Sequence, residues 1–407
     1  MKKISIIVFL AFLPLILFAE PGGSNYSMFG IGDIIRSNTA SYDGIAGTSI
    51  AFPTQTCLSS VNPALWSLAG KTRLQVGYSF TQHANQGDNT TTYQFHSKPN
   101  SIMAIFSVDT SLGLAISLGI YPYSTINYFV QSSEKYKIDD LSGTANTTFY
   151  GTGGLTAAYA GTSINLFKGL SLGFAAQLLF GQGLFDYETY ISNGDQSRNY
   201  VIDSYRSFGL RTGLVYRGID NLYLGAYYEH NFSLLTNRSS SLYSYWALDT
   251  SYMYSFSNSM PGSLGIGASY MINNLQIGAD FKYTDFSNFA YNLSTGSNAT
   301  FVPGINTSFG ISKNGNTKPG SEYIDQMSFR AGFSHSNLFY QVFGKKVNDD
   351  AISIGSTFPL RGTALIDAAM TFGRRGENSN NLVLDYYYQF SMSISIGENW
   401  FKPFKRY

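Results

Sequence analysis

Seven charged residues, Arg211, Glu229, Asp280, Lys282, Arg330, Asp367 and Asp385, each adjoin an apolar or aromatic residue in segments that alternate residue by residue. Successive side chains of a strand point to opposite faces, so each charge lies on the face turned away from the apolar one. The chemistry open to such residues is ion pairing across an interior or guidance of a polar ligand. Other reactive groups are scattered. His83, His96, His230 and His335 show no metal-ligand spacing and have no cysteine or carboxylate cluster beside them, so they read as loop or interface histidines, and no metal or other cofactor is expected. A serine hydrolase needs a base and an orienting group within reach of its nucleophile, and serines are too many here to single one out. The run Gly151–Thr156, GTGGLT, leads into a strand pattern and not a helix, which removes the phosphate-loop mechanism. An enzyme is therefore not expected.

The segments that carry the charges define the class. In residues 382–400, Leu384, Tyr386, Tyr388, Phe390, Met392, Ile394 and Ile396 fall on one parity, against Asp385, Tyr387, Gln389, Ser391, Ser393 and Ser395 on the other. Residues 112–120 and 275–284 repeat the pattern. A long strand with one apolar face and one face of Gly, Ser and isolated charges fits a membrane barrel with a hydrated lumen. Arg or Lys facing lipid near the midplane would cost about 2–4 kcal/mol, a physical reason for the charges to keep to the inner parity.

Composition agrees. The 407 residues include 41 Gly, 31 Tyr and 31 Phe, with a formal net charge of +1 that gives no sign of nucleic-acid binding. Tyrosine and phenylalanine suit interfacial girdles. The single cysteine, Cys57, permits no intrachain disulfide and reads as a buried thiol. Residues 1–19, two lysines followed by an apolar run ending at Ala19, read as a secretory signal peptide. That run is too short to span a bilayer as a helix, and beyond it no apolar stretch of about 18 residues occurs.

Residues 20–70 differ from the rest, with small and polar residues and no sustained alternation. Asn62 can cap a short helix that begins at Pro63. Irregular backbone cannot face lipid but can fill a lumen, so this stretch is expected inside the barrel, held by the inward charges. Residues 71–407 are expected to form about fourteen antiparallel strands. Tight turns are placed at 109–110, 219–221, 273–274 and 361–362, and long polar loops at 132–146, 288–321 and 345–350. Residues 243–256 and 263–272 are read as two separate strands. Pro122 falls within the third strand, read as 112–129, and marks either a strand end or a bend.

On Gly47, Ser59, Ser60, Asn62, Pro63 and Ala64, and on the segments LSLGFAAQLLFG (170–181), ISIGSTFPLRG (352–362) and ENWFKPFKRY (398–407), the chain resembles the FadL family of outer-membrane transporters for hydrophobic compounds, in particular its Bacteroidota-type members related to PorV. The resemblance implies a fourteen-stranded barrel with an N-terminal hatch at 20–70 centred on Asn62, Pro63 and Ala64. It also implies an outer-membrane location and passive uptake of hydrophobic small molecules, fatty-acid-like or aromatic, with lateral release through a gap in the wall. Tyr243, Tyr245 and Trp246 could line a ligand pocket or anchor the rim. The alternative is a PorV-like protein-binding or shuttle component of a secretion system.

Overall fold

In the last strand Ser391, Ser393 and Ser395 are buried while Phe390, Met392, Ile394 and Ile396 are exposed, and this alternation organises the whole molecule. The computed structural model describes residues 20–400 except 88–89, 139–140, 193–195, 245–249, 292–298, 317–319 and 379–381. The stretch at 1–19 read as a signal peptide and the terminus at 401–407 lie outside the described residues.

Fourteen antiparallel strands form a ring. They are β1 (Thr72–Gln86), β2 (Thr91–Asp109), β3 (Leu114–Pro122, continued by Ser124–Ile138), β4 (Leu141–Phe167), β5 (Leu170–Ile191), β6 (Gln196–Ile219) and β7 (Leu222–Asn231, continued by Leu234–Ser244). Then follow β8 (Thr250–Asn258, continued by Ser263–Ile272), β9 (Leu275–Thr284), β10 (Ala299–Phe301, then Gly304–Lys313), β11 (Ser328–Val342), β12 (Lys345–Pro359), β13 (Leu365–Arg375) and β14 (Leu384–Glu398). Each pairs with its chain neighbours, and β14 closes on β1 from Leu384↔Gln86 to Glu398↔Thr72.

The expected count of fourteen holds, but two assignments behind it do not. Residues 250–272 are a single strand interrupted at 259–262, not two strands. The missing member, β10, lies inside the segment read as a loop at 288–321 and pairs with β9 and β11. Residues 132–146 and 345–350 are mostly strand as well, joined by short hairpins.

Strand length is uneven. A tilted strand crosses a bilayer in roughly 9–11 residues, yet β4, β5 and β6 run for 27, 22 and 24 residues. On the side where these strands are longest, β3 to β8 rise as a sheet well past their neighbours. This extension has two free edges among the described residues: Ser124–Ile138 pairs only with β4 and, at two residues, with the N-terminal segment, and Thr250–Asn258 pairs only with β7.

The first of these edges is also a break in the wall. Below Pro122, β3 pairs with β2 from Ile102↔Ile120 to Asp109↔Leu114. Above it the strand bends at Tyr123, and Thr91–Asn100 of β2 no longer meets β3 in a ladder. Pro122 therefore marks a bend within a strand that continues.

Candidate functional site

Residues 22–69 lie within the ring. They are almost wholly buried, and backbone this irregular finds partners there that lipid could not supply. A helical turn, Ala40–Asp43, packs near β12, β13 and β14, while the 3₁₀ turn Pro63–Leu68 packs against β4, β5 and β6.

Asn62, Pro63 and Ala64 sit at the contact with β5 and β6. The Asn62 side chain accepts from the Ala64 amide at 3.0 Å, and its Nδ2 donates to Ile50 O at 2.7 Å and to Leu214 O of the wall at 3.1 Å. Proline at the first position of the turn costs no hydrogen bond there. The wall makes room for this motif with glycine: a Cβ at Gly213 would overlap Asn62 Oδ1, and one at Gly173 would overlap the Pro63–Ala64 peptide. In this strand interior, glycine marks a close backbone approach.

All seven charges chosen by parity lie on the inner face, but only some touch the N-terminal segment. Arg211 bonds Ser60 O, Tyr121 OH at 3.1 Å and Gln177 Oε1 at 3.0 Å, and pairs with Glu229 at 2.5 Å. Asp280 accepts from the amides of Ser49 and Ile50 at 2.6 and 2.9 Å, and Lys282 Nζ donates to Gly47 O at 3.1 Å. Asp385 accepts from Ser24 Oγ at 2.7 Å and meets His83 at 3.0 Å, so His83 is an interior residue and not the loop or interface histidine expected. Arg330 and Asp367 pair with each other at 3.3 Å within the wall.

The densest ion network was not anticipated. Asp349 on β12 meets Arg36 of the N-terminal segment at 2.5 Å and Arg375 on β13 at 2.8 Å, and Arg375 also meets Asp33 at 2.6 Å. Tyr387 OH donates to Asp349 at 2.9 Å. Parity places Asp349 and Arg375 inward, but both stand just beyond the strand ends assigned from sequence. A further buried pair, Arg238 with Asp203 at 2.6 Å, braces the extension. Burial works against the Arg36 guanidinium, yet Asp349 beside it offsets this and holds its pKa above the ordinary value. Burial pushes the Asp43 carboxyl up to about 6, against hydrogen bonds from Ser391, Ser37 and Asn100 that lower it. Burial likewise pushes the Cys57 thiol up to about 12, so it is an inert thiol.

Part of the same segment fills the break in the wall. Glu20–Pro21 pairs in parallel with Gln94–Phe95 of β2, and Asp33–Ile34 pairs with Thr125 and Ser124 of β3. Gln94 Nε2 donates across the break to Phe129 O at 2.6 Å, and Lys98 Nζ donates to Thr125 Oγ1 at 3.0 Å. Immediately behind the break lies a polar cavity of about 110 Å³ bordered by Asp33, Arg36, His96, Lys98, Thr125 and Asn127, and inward of Tyr123 lies a second one of about 180 Å³, bordered by Ile34, Ile35, Val61, Tyr121, Tyr123 and Phe339. The second also touches Arg211, Glu229 and Lys282. A stack of rings packs beside it: Phe286 lies 4.0 Å from Phe339, which lies 5.0 Å from Tyr340, itself 4.9 Å from Phe29. Phe289, which packs on Phe286, and Tyr291 beside it were missed because they fold inward from the segment read as a polar loop at 288–321. Of the aromatics proposed from sequence, Tyr243 is half-exposed on β7 and does not border the cavity, and Tyr245 and Trp246 lie outside the described residues. Among the described residues no cluster of three or more metal-ligating side chains occurs.

A closed fourteen-stranded antiparallel barrel with an apolar exterior, a charged interior and a buried N-terminal segment is a fold of the FadL type. Three solved structures share it. A FadL homologue from Pseudomonas aeruginosa aligns with a TM-score of 0.64 at 13% identity over 89% of this chain and 99% of its own. The toluene transporter TbuX from Ralstonia pickettii aligns at 0.60 and 14% over 88% and 97%, and the monoaromatic hydrocarbon channel CymD at 0.59 and 14% over 92% and 100%. No curated protein sequence matches the chain. A family model described as BamG matches residues 1–406, and the chain belongs to that family.

Proposed function

We propose that this protein is an outer-membrane barrel for passive uptake of hydrophobic small molecules, with residues 20–70 as a hatch that must shift for a ligand to pass. The observation that carries the reading is the break in the wall at Tyr123, with a part-apolar cavity inward of Tyr121 and Tyr123. Such an opening gives an apolar molecule a route from lumen to lipid that avoids water. Burying apolar ligand surface is worth roughly 25 cal/mol per Å², and Ile34, Ile35, Tyr121, Tyr123 and Phe339 offer that contact. The structural relatives CymD and TbuX are a monoaromatic hydrocarbon channel and a toluene transporter, which favours uptake over the PorV-like partner-binding alternative.

The cavity is small and bounded by the segment that fills the break, so the state described is closed. Stapling that segment tests the route. Ile34 and Ser124 are directly paired, so Ile34→Cys with Ser124→Cys forms a disulfide across it under oxidation. Uptake of radiolabelled toluene by cells should fall at least tenfold when the staple is oxidised and recover on reduction. Uptake that is indifferent to the staple would refute the lateral route.

A further inference from the structure

The interior of the ring treats its cations unequally. Arg36, Arg211, Arg330 and Arg375 each pair with a carboxylate. Lys98 and Lys282 make no ion pair among the described residues: Lys98 Nζ donates to Thr125 Oγ1 at 3.0 Å, and Lys282 Nζ donates to Gly47 O at 3.1 Å and Ser49 Oγ at 3.3 Å. Asp280 stands two residues from Lys282 on β9, but it is taken up by the amides of Ser49 and Ile50. An ammonium has three donors, so each lysine keeps at least one, and a charge withdrawn from water without an ionic partner is costly. The two lysines differ in their surroundings. Lys98 borders the polar cavity behind the break, together with Asp33, His96, Thr125 and Asn127. Lys282 borders the part-apolar cavity of about 180 Å³, where Tyr121, Tyr123, Phe286 and Phe339 supply aromatic walls. Three cations, Arg36, Arg211 and Lys282, stand on the border of that cavity against one carboxylate, Glu229.

We propose that this cavity binds a one-ring aromatic carboxylate, with the ring held among Tyr121, Tyr123 and Phe339 and the carboxylate paired with Lys282. A hydrogen bond from an ammonium to a carboxylate is roughly twice as strong as a neutral one, and it gives the unspent donor of Lys282 the ionic partner that the chain itself withholds. Size sets the rest of the ligand. An engineered apolar cavity of about 150 Å³ takes up benzene, so this one holds a single ring with a small substituent and leaves no room for a long acyl chain. A neutral hydrocarbon would displace water from the ammonium and offer nothing in return, so the charge selects an acid over the hydrocarbon of the same shape. Lys98 has no aromatic wall beside it in its own cavity, which makes it the cation expected not to bind such a ring. The proposal rests on the uptake reading above for the way in, whereas occupancy of the site is measured on its own.

The test is titration calorimetry of the intact protein in detergent at neutral pH, with benzoate and, separately, with benzamide, a neutral molecule of nearly the same shape. Benzoate is expected to bind saturably at one site per barrel, and benzamide at least tenfold more weakly. Lys282→Met should weaken benzoate at least tenfold and change benzamide less than threefold. Lys282 also holds Gly47 O, and mere loosening of the N-terminal segment would weaken both compounds alike, so the split between them isolates the charge. Lys98→Met should leave benzoate within threefold of the unaltered protein. A heat-dependent shift in gel mobility confirms that each variant forms its barrel. Failure of this site and failure of the uptake route are separable: toluene uptake that follows the Ile34–Ser124 staple without benzoate binding overturns the site alone, and benzoate binding through Lys282 with uptake indifferent to the staple refutes the route alone. Equal affinity for the two compounds, benzoate binding indifferent to Lys282→Met, equal loss of both compounds in that variant, or no saturable binding of benzoate would overturn the proposal.

Discussion

At the scale of single residues, Asn62 ties the N-terminal segment to itself and to the wall in one side chain. Replacing it with alanine leaves the Ala64 amide and two carbonyls short of partners, and each buried group so orphaned costs about 1–3 kcal/mol. Asn62→Ala should therefore loosen residues 20–70 while the barrel persists, seen as faster proteolysis of the N-terminal segment with heat-dependent gel mobility retained. Asp43 makes a pH prediction of opposite sign to an ion-paired carboxylate. Its folded pKa, about 6, lies above the ordinary value of 3.8, so the folded state holds the proton more tightly than the unfolded state does. The stability tied to protonation is full below about pH 4 and is lost as pH rises through 6. Asp43→Asn removes this dependence: the variant should match the unaltered protein at pH 4 in chemical unfolding and exceed it by up to about 3 kcal/mol at pH 7, at 1.36 kcal/mol per pKa unit. A difference between the two that does not change with pH would contradict the assignment.

At the scale of elements, strands β12 and β13 hold the N-terminal segment through Asp349, which serves Arg36 and Arg375 together. Removing one member of a buried ion pair typically costs 3–5 kcal/mol, because a charge is left uncompensated. Asp349→Asn should therefore destabilise the closed segment on that order, measured by denaturant unfolding. Among the described residues, Arg330 and Asp367 make no hydrogen bond or ion pair to the segment, so Asp367→Asn should leave its proteolysis unchanged. How far such elements can be read from sequence depends on their surroundings. The parity reading chose Asp280, Lys282 and Asp385, which bond to residues of the N-terminal segment; a membrane would enforce such alternation where the wall crosses it. Asp349 and Arg375 keep the inward parity but were missed because the strand ends around them carry polar residues on both faces, as in KKVNDD at 345–350, which erases the pattern that marks a strand. The same erasure hid β10. Ile305, Phe309 and Ile311 do alternate with Asn306, Ser308, Gly310 and Ser312, but only within a short stretch flanked by polar sequence. The ion network was less legible still, since Asp33 and Arg36 belong to irregular backbone with no periodicity to orient them.

At the scale of the whole molecule, the barrel and its N-terminal segment form one packed body, with wall glycines opposite the segment's backbone and wall charges opposite its polar groups. Such a body conducts ions only if the segment leaves. Single-channel conductance in planar bilayers, compared between the intact mature chain and a form lacking residues 20–70, tests the central claim that this segment plugs the lumen. The account predicts a closed or sparsely flickering trace for the intact protein and stable, much larger openings for the deletion, with both forms heat-shifted on gels as folded barrels. A deletion that forms its barrel and remains closed would contradict it.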